Sequence, residues 1–271
     1  MIELLNLKTN EIIKIPSQIE EFTPVQYLFY LKLNEQYCLQ IIDKEKFKRK
    51  LFVNITGLRP SWKMMFYHSA KTAEIWESVQ QKIDLFNCFF DENNCLKVKS
   101  VQNLLPEWNG FAGPKNMLQN LTWGDYTDIL VLLKVFSQAS AENKKSIGDN
   151  IFRTLYKGGS ADVEIPYEVV AHAINFFITV NELITTTEIS INGENVNFSI
   201  LWEKNGDEVK VEDKSGWAGL TFMIAECAAL GNDEQVKAKN LWDVLLYLYY
   251  QHVKLKREQK QYDKITQKSK K

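Results

Sequence analysis

Histidine is almost missing from this chain of 271 residues: His68, His172 and His252 are the whole supply. They lie far apart in sequence, and none belongs to an H-x-x-x-H pair or a Cys/His cluster, so no zinc site is expected. The four cysteines, Cys38, Cys88, Cys95 and Cys227, form no C-x-x-C pair. No secretory apolar segment opens the chain, and reduced thiols in a cytoplasmic protein are expected. No run approaches the roughly eighteen apolar residues that span a bilayer; the best candidate, 241–250, is much too short. No Walker-type or G-x-G-x-x-G phosphate loop and no G-x-S-x-G elbow occurs, and no cofactor is expected. Net charge is close to zero, at −1, which argues neither for nor against a charged partner.

What is present is ordinary core material: 45% apolar and 12% aromatic residues, enough for one large domain or two of ordinary size. The material is arranged in an order that recurs. Thr23 and Tyr27 return as Thr122 and Tyr126; Phe47, Leu51, Phe52 and Ile55 return as Ile147, Ile151, Phe152 and Leu155. Thr23 is placed as an N-cap with Pro24 at N1 and Gln26 at N3, a capping box, and Phe22 can staple onto Tyr27 at N4. This helix is expected to run to about Ile42. Asp43 caps a second helix with Phe47, Leu51 and Ile55 on one stripe and Lys44, Lys46, Lys48, Arg49 and Lys50 off it. Gly57 and Pro60 stop it, and Ser61 opens a third through Trp62, Phe66 and Ile83. The stretch 86–98 reads as a hairpin with a five-residue loop, Phe90 opposite Leu96 and Cys88 opposite Val98.

After a Gly- and Pro-marked connector the order repeats. Leu121-Thr122 opens a helix reaching Gln138, with Asp125 at N3 and Tyr126 at N4. A second helix carries Ile147, Ile151 and Leu155 and stops at Gly158-Gly159. Pro166 opens a third at N1, on which His172 falls near the counterpart of His68. Residues 189–200 read as a hairpin with a four-residue loop, Ile191 opposite Val196 and Ile189 opposite Phe198; a tight two-residue turn would set Ile191 against Glu194. Ahead of all this, 2–7 and 12–15 read as two strands around a turn at Thr9-Asn10.

The last part has no counterpart. Residues 203–215 read as an exposed polar loop. The small residues of 216–230 predict a deeply buried helix. Gly216 and Gly219 could expose N–H groups to an anion, though a flexible entry to a packed helix is the plainer reading. Asp125 and Asp128 sit three apart like paired carboxylates, but capping and surface placement account for them. Asn240 caps a last helix whose base is aromatic: Trp242, Tyr247, Tyr249 and Tyr250. From Lys254 on, eight basic residues face Glu258 and Asp263, a net +6; the rest of the chain carries −7. Beyond Leu255 the helix is expected to be wholly polar and to project into solvent. Trp242, Tyr247, Tyr249 and Tyr250 with Lys254, Lys256, Arg257 and Lys260 are the candidate partner-binding residues, since aromatics anchor interfaces. The rings suit completing the chain's own core equally well, and the lysines suit a solubilising tail.

Three stretches carry a resemblance. IPSQIEEFTPVQY (15–27) and LQNLTWGDYTDIL (118–130) resemble recurrent elements of small phage- or prophage-encoded proteins of anaerobic gut-type bacteria. Gly216-Trp217 with its small-residue helix and then NLWDVLLYLYY is similar to proteins encoded near the tail tape-measure gene, the tail-assembly-chaperone-like group. The resemblance implies a non-enzymatic assembly role through protein contacts. The implied partner is a tape-measure-like tail protein or a second copy, in the host cytoplasm, with the virion as the alternative location. It names no active residue.

The expected fold is α+β and mainly α: two related units of three helices plus a hairpin, a C-terminal helical pair and a projecting basic helix. The expected segments are 1–115, 116–202 and 203–271. The alternative function is a nucleic-acid-associated adaptor using the basic helix, with a hydrolase of unlisted motif third; no membrane role is expected.

Overall fold

The computed structural model describes residues 2–6, 11–57, 70–191, 193–202 and 216–269. The expected turn at Thr9-Asn10, the start of the third helix at Ser61, His68, Asn192 and the 203–215 stretch lie outside them. The fold is α+β and mainly helical, with small antiparallel strand pairs. It gathers into two compact units, 1–105 with 164–175 and 106–163 with 176–271.

In the first unit, β1 (Ile2–Asn6) and β2 (Glu11–Ile15) pair antiparallel with Ile2 opposite Ile15. α1 (Pro24–Cys38) begins as its sequence requires. The Gln26 N–H donates to Thr23 Oγ1 at 3.3 Å, and the Thr23 N–H donates to Gln26 Oε1 at 3.0 Å. It ends at Cys38, short of Ile42, because Gln40 turns left-handed (φ 56) and the Ile41 and Ile42 N–H groups bond back to the Gln36 carbonyl. The Phe22 ring, expected on Tyr27, stacks on Phe89 and meets Tyr30. α2 (Lys44–Thr56) is capped by Asp43 and closed by Gly57 at φ 66. Phe47, Leu51 and Phe52 are buried along it. So is Lys48, one of the cations expected off the apolar stripe: its Nζ lies 2.7 Å from both Glu45 and Asp84. α3 (Ala70–Asp84) supplies Asp84.

The expected hairpin at 86–98 is corrected. Leu85–Phe89 is a 3-10 turn, and only Phe90 opposite Leu96 pairs, across the five-residue loop. Burial explains this. Phe86 and Phe89 are both enclosed, and a three-residue spacing reaches one side of a 3-10 turn, whereas strand alternation would send them to opposite faces.

The second unit opens with a three-stranded sheet of β3 (Glu107–Trp108), β4 (Phe111–Ala112) and β5 (Lys157–Gly158) in that order. α4 (Trp123–Gln138) starts at the Thr122 cap, whose Oγ1 accepts from the Asp125 N–H at 3.1 Å. α5 (Ala141–Leu155) buries Ile151, Phe152 and Leu155. Phe152 stacks on Tyr156 at 4.5 Å and meets Phe111 and Trp108 edge-on. Gly159, at φ 67, lies where any Cβ would overlap the Phe111 ring.

α6 (Tyr167–Thr186) starts one residue after the expected Pro166; its first turn bonds to the Pro166 carbonyl. Residues through Asn175 belong to the first unit and those from Phe176 to the second. The expectation that no segment is apolar enough to span a bilayer is corrected here. By length and composition α6 qualifies, and half of it is buried inside the protein, as a core helix would be.

The second hairpin, β6 (Glu188–Ile191) and β7 (Glu194–Asn197), takes the register that sequence reasoning set aside. Ile189 faces Val196 and Ile191 faces Glu194. Gly193 supplies φ 86, which suits a two-residue turn. Phe198 needs no strand partner, because it turns into a 3-10 segment (Phe198–Leu201) and is buried against Trp242 and Tyr249.

α7 (Gly216–Glu226) is not deeply buried. Thr221 and Ile224 are enclosed, while Phe222 and Met223 stand half exposed. Small residues allow close packing but do not require it. α8 (Asp233–Ala238) follows, with Asn232 and Gln235 forming its capping box. α7 and α8 pack together, and α8 and the start of α9 (Leu241–Ser269) pack on α4. The expected 203–271 segment thus shares its core with α4. The order of three helices recurs in the two halves, and the recurrence stops at the hairpin.

Candidate interaction surface

The base of α9 is fixed by the start of α4. Thr122 and Asn240 form a bridge: the Leu241 N–H donates to the Leu121 carbonyl at 2.9 Å, and the Trp123 N–H donates to Lys239 O at 2.8 Å. Asn240 serves twice. Its Oδ1 accepts from the Trp242 N–H at 2.9 Å as the expected cap, and its Nδ2 donates to Gln119 O at 2.6 Å. Trp242 Nε1 donates to Met117 O at 3.1 Å, in a turn where Met117 and Leu118 both hold positive φ.

This geometry divides the candidate partner-binding residues. Trp242 and Tyr249 are half-buried and meet the Phe198 ring at 6.1 and 6.0 Å, and Tyr247 is half-buried as well. Trp242 and Tyr249 complete the unit's own core. Tyr250, Lys254, Lys256, Arg257 and Lys260 are exposed. From Lys254 through Thr266 every residue of α9 is exposed, a free length of about 20 Å at 1.5 Å per residue.

The free half is not wholly polar, which corrects the sequence expectation. Leu255, Tyr262 and Ile265 are 63, 69 and 65% exposed. Leu241, Leu248, Leu255 and Tyr262 follow each other at seven-residue steps, so they lie on one line of the helix. Leu241 and Leu248 are buried, and the same face continues into solvent as Leu255 and Tyr262. That heptad step was the signal available in the sequence, hidden among lysines. Arg257, Lys260 and Lys264 form a row on the opposite side.

A second polar centre lies in the first unit. Tyr27 Oη is 3.0 Å from His172 Nδ1, and His172 Nε2 is 3.0 Å from Asn103 Oδ1. Asn103 Oδ1 also accepts from the Leu105 N–H. An oxygen that accepts there requires Nε2 to carry the proton, so Nδ1 accepts from the tyrosine. Burial pushes the imidazole down to about 3 and keeps it neutral. All three side chains are buried, so the triad offers no approach to a substrate and joins three distant chain segments instead.

Other candidates disperse. Asp125 pairs with Lys157 at 2.9 Å, and Asp128 is exposed. The cysteines are free thiols. Among the described residues no group of three His, Cys, Asp or Glu side chains could hold a metal. An open groove of about 300 Å³ runs between α4 and α5, lined by Val135, Ala139 and Ile147 with Gln138, Asn143 and Ser146. No family model, curated protein or solved structure matches the chain.

Proposed function

We propose that this chain is a non-enzymatic component of phage or prophage tail assembly that works by holding another protein. The observation carrying the contact role is the free half of α9: a helix anchored at its base, exposed along its length, and bearing large apolar side chains in line with its own core face. A thin apolar stripe in water is what an interface half requires. The phage origin is supported by the resemblance of residues 15–27 and 118–130 to recurrent elements of phage- or prophage-encoded proteins, and the tail assignment by that of Gly216-Trp217, its small-residue helix and residues 240–250 to proteins encoded near the tape-measure gene; the partner this implies is a tape-measure-like helical protein. Co-expression with such a protein from the same phage or prophage is expected to give one complex on size exclusion, and separate elution overturns the reading.

The second reading, a nucleic-acid-associated adaptor, is favoured by the Arg257, Lys260 and Lys264 row. It requires DNA binding that weakens steeply with salt and vanishes when residues 254–271 are removed.

A further inference from the structure

We propose that the free half of α9 docks an acidic partner helix that carries an apolar seam. The inference rests on the contact role assigned above and adds the chemistry of the surface contacted. The seam is defined by Leu255, Tyr262 and Ile265, which extend the buried Leu241, Val244 and Leu248 face into water. A helix laid along that line would cover side chains that are now two-thirds exposed and continue the packing already present at the base.

Charge selects the occupant. Lys254 and Lys256 stand one on each flank of Leu255, roughly 100° to either side. Arg257, Lys260 and Lys264 stand behind it, and the segment 254–271 totals +6. A second copy of α9 would set like charges on like within a Debye length of about 8–10 Å, and a parallel pairing would bring Glu258 against its twin. A nucleic acid would engage the arginine–lysine row and leave Leu255 and Tyr262 in water. An acidic helix with leucines at the contact positions satisfies both faces at once: the apolar seam is covered, and the flanking lysines meet carboxylates.

Two synthetic helical peptides test this with the full chain. Both carry leucine along one heptad seam; one is flanked by glutamate and the other by lysine. By fluorescence anisotropy the glutamate peptide is expected to bind, to weaken about tenfold when salt is raised, and to release from the Leu255→Gln/Tyr262→Gln/Ile265→Gln variant. That variant should keep the parent's helical circular dichroism and melting midpoint, since the three side chains are exposed. Absence of glutamate-peptide binding, equal binding of both peptides, or undiminished binding by the variant overturns the proposal. So does tighter binding of a short DNA duplex, or self-association of the chain that the variant abolishes. If the peptides fail while removal of 254–271 still abolishes the complex with the tape-measure-like protein, only the acidic-helix chemistry falls. If the full chain forms no such complex, the assembly reading itself falls.

Discussion

His172 ties pH to stability through a single buried ring. Its neutral form is held between Tyr27 and Asn103, and its pKa is pushed down to about 3 by burial, while an unfolded histidine titrates near 6.5. Between those values the unfolded chain takes up a proton that the folded chain refuses. Stability is therefore fully present above about pH 6.5 and falls as pH drops toward 3, at about 1.4 kcal/mol per pH unit. Denaturant titrations at stepwise pH should show this slope, and His172→Gln should flatten it while lowering stability at neutral pH. Asp84 adds to the loss only at lower pH, because its hydrogen bond to Lys48 holds its carboxyl below the usual range. Gly159 is constrained by space and by backbone: at φ 67, with the Phe111 ring where a Cβ would go, Gly159→Ala should cost about 2 kcal/mol or more in thermal or denaturant unfolding. Neither residue advertised its role. His172 lies on a helix like any other, and Gly159 reads as a helix stop; the partners that matter to them come from 48 residues or more away in sequence.

Among the elements, helix starts were more legible than strand registers, for a physical reason. A cap is decided within four residues, so Thr23, Asp43, Thr122, Asn232 and Asn240 can be judged from their neighbours alone. Asn232 is the exception in practice: Gly231-Asn232 reads in the sequence as the end of the 216–230 helix, and in the structure Asn232 starts α8. Thr23→Ala and Thr122→Ala should each cost about 1 kcal/mol in equilibrium unfolding. Register depends on what covers each face. Matching apolar faces inside the 189–200 stretch favoured the longer loop, but Phe198 is covered by α9, which frees β6 and β7 to close on Gly193. Gly193→Val should therefore weaken the hairpin, by about 1 kcal/mol or more, through the positive φ alone. The same dependence explains α7. Trp217, Thr221 and Ile224 follow helical spacing toward Trp123, whose indole donates to Thr221 Oγ1, and that face is what the helix buries. The α9 surface was half legible: the basic run and projecting end stand in the sequence, whereas the division of its aromatics between core and surface needed the position of Phe198.

At the scale of the whole chain, the free half of α9 is dispensable to folding. Removing 254–271 should leave the melting midpoint within about 2 °C, because Lys254 through Thr266 are all exposed. Chain order has a further consequence. Residues 164–175 return to the first unit after the intervening 106–163 has gone to the second. A ribosome releasing this polypeptide from its first residue therefore exposes Tyr27 and Asn103 long before the imidazole they clasp. The earlier-made unit must wait, unfinished, while much of the later one emerges, and a nascent fragment of 1–105 is left with an open seat for α6 that chaperones and proteases would meet first.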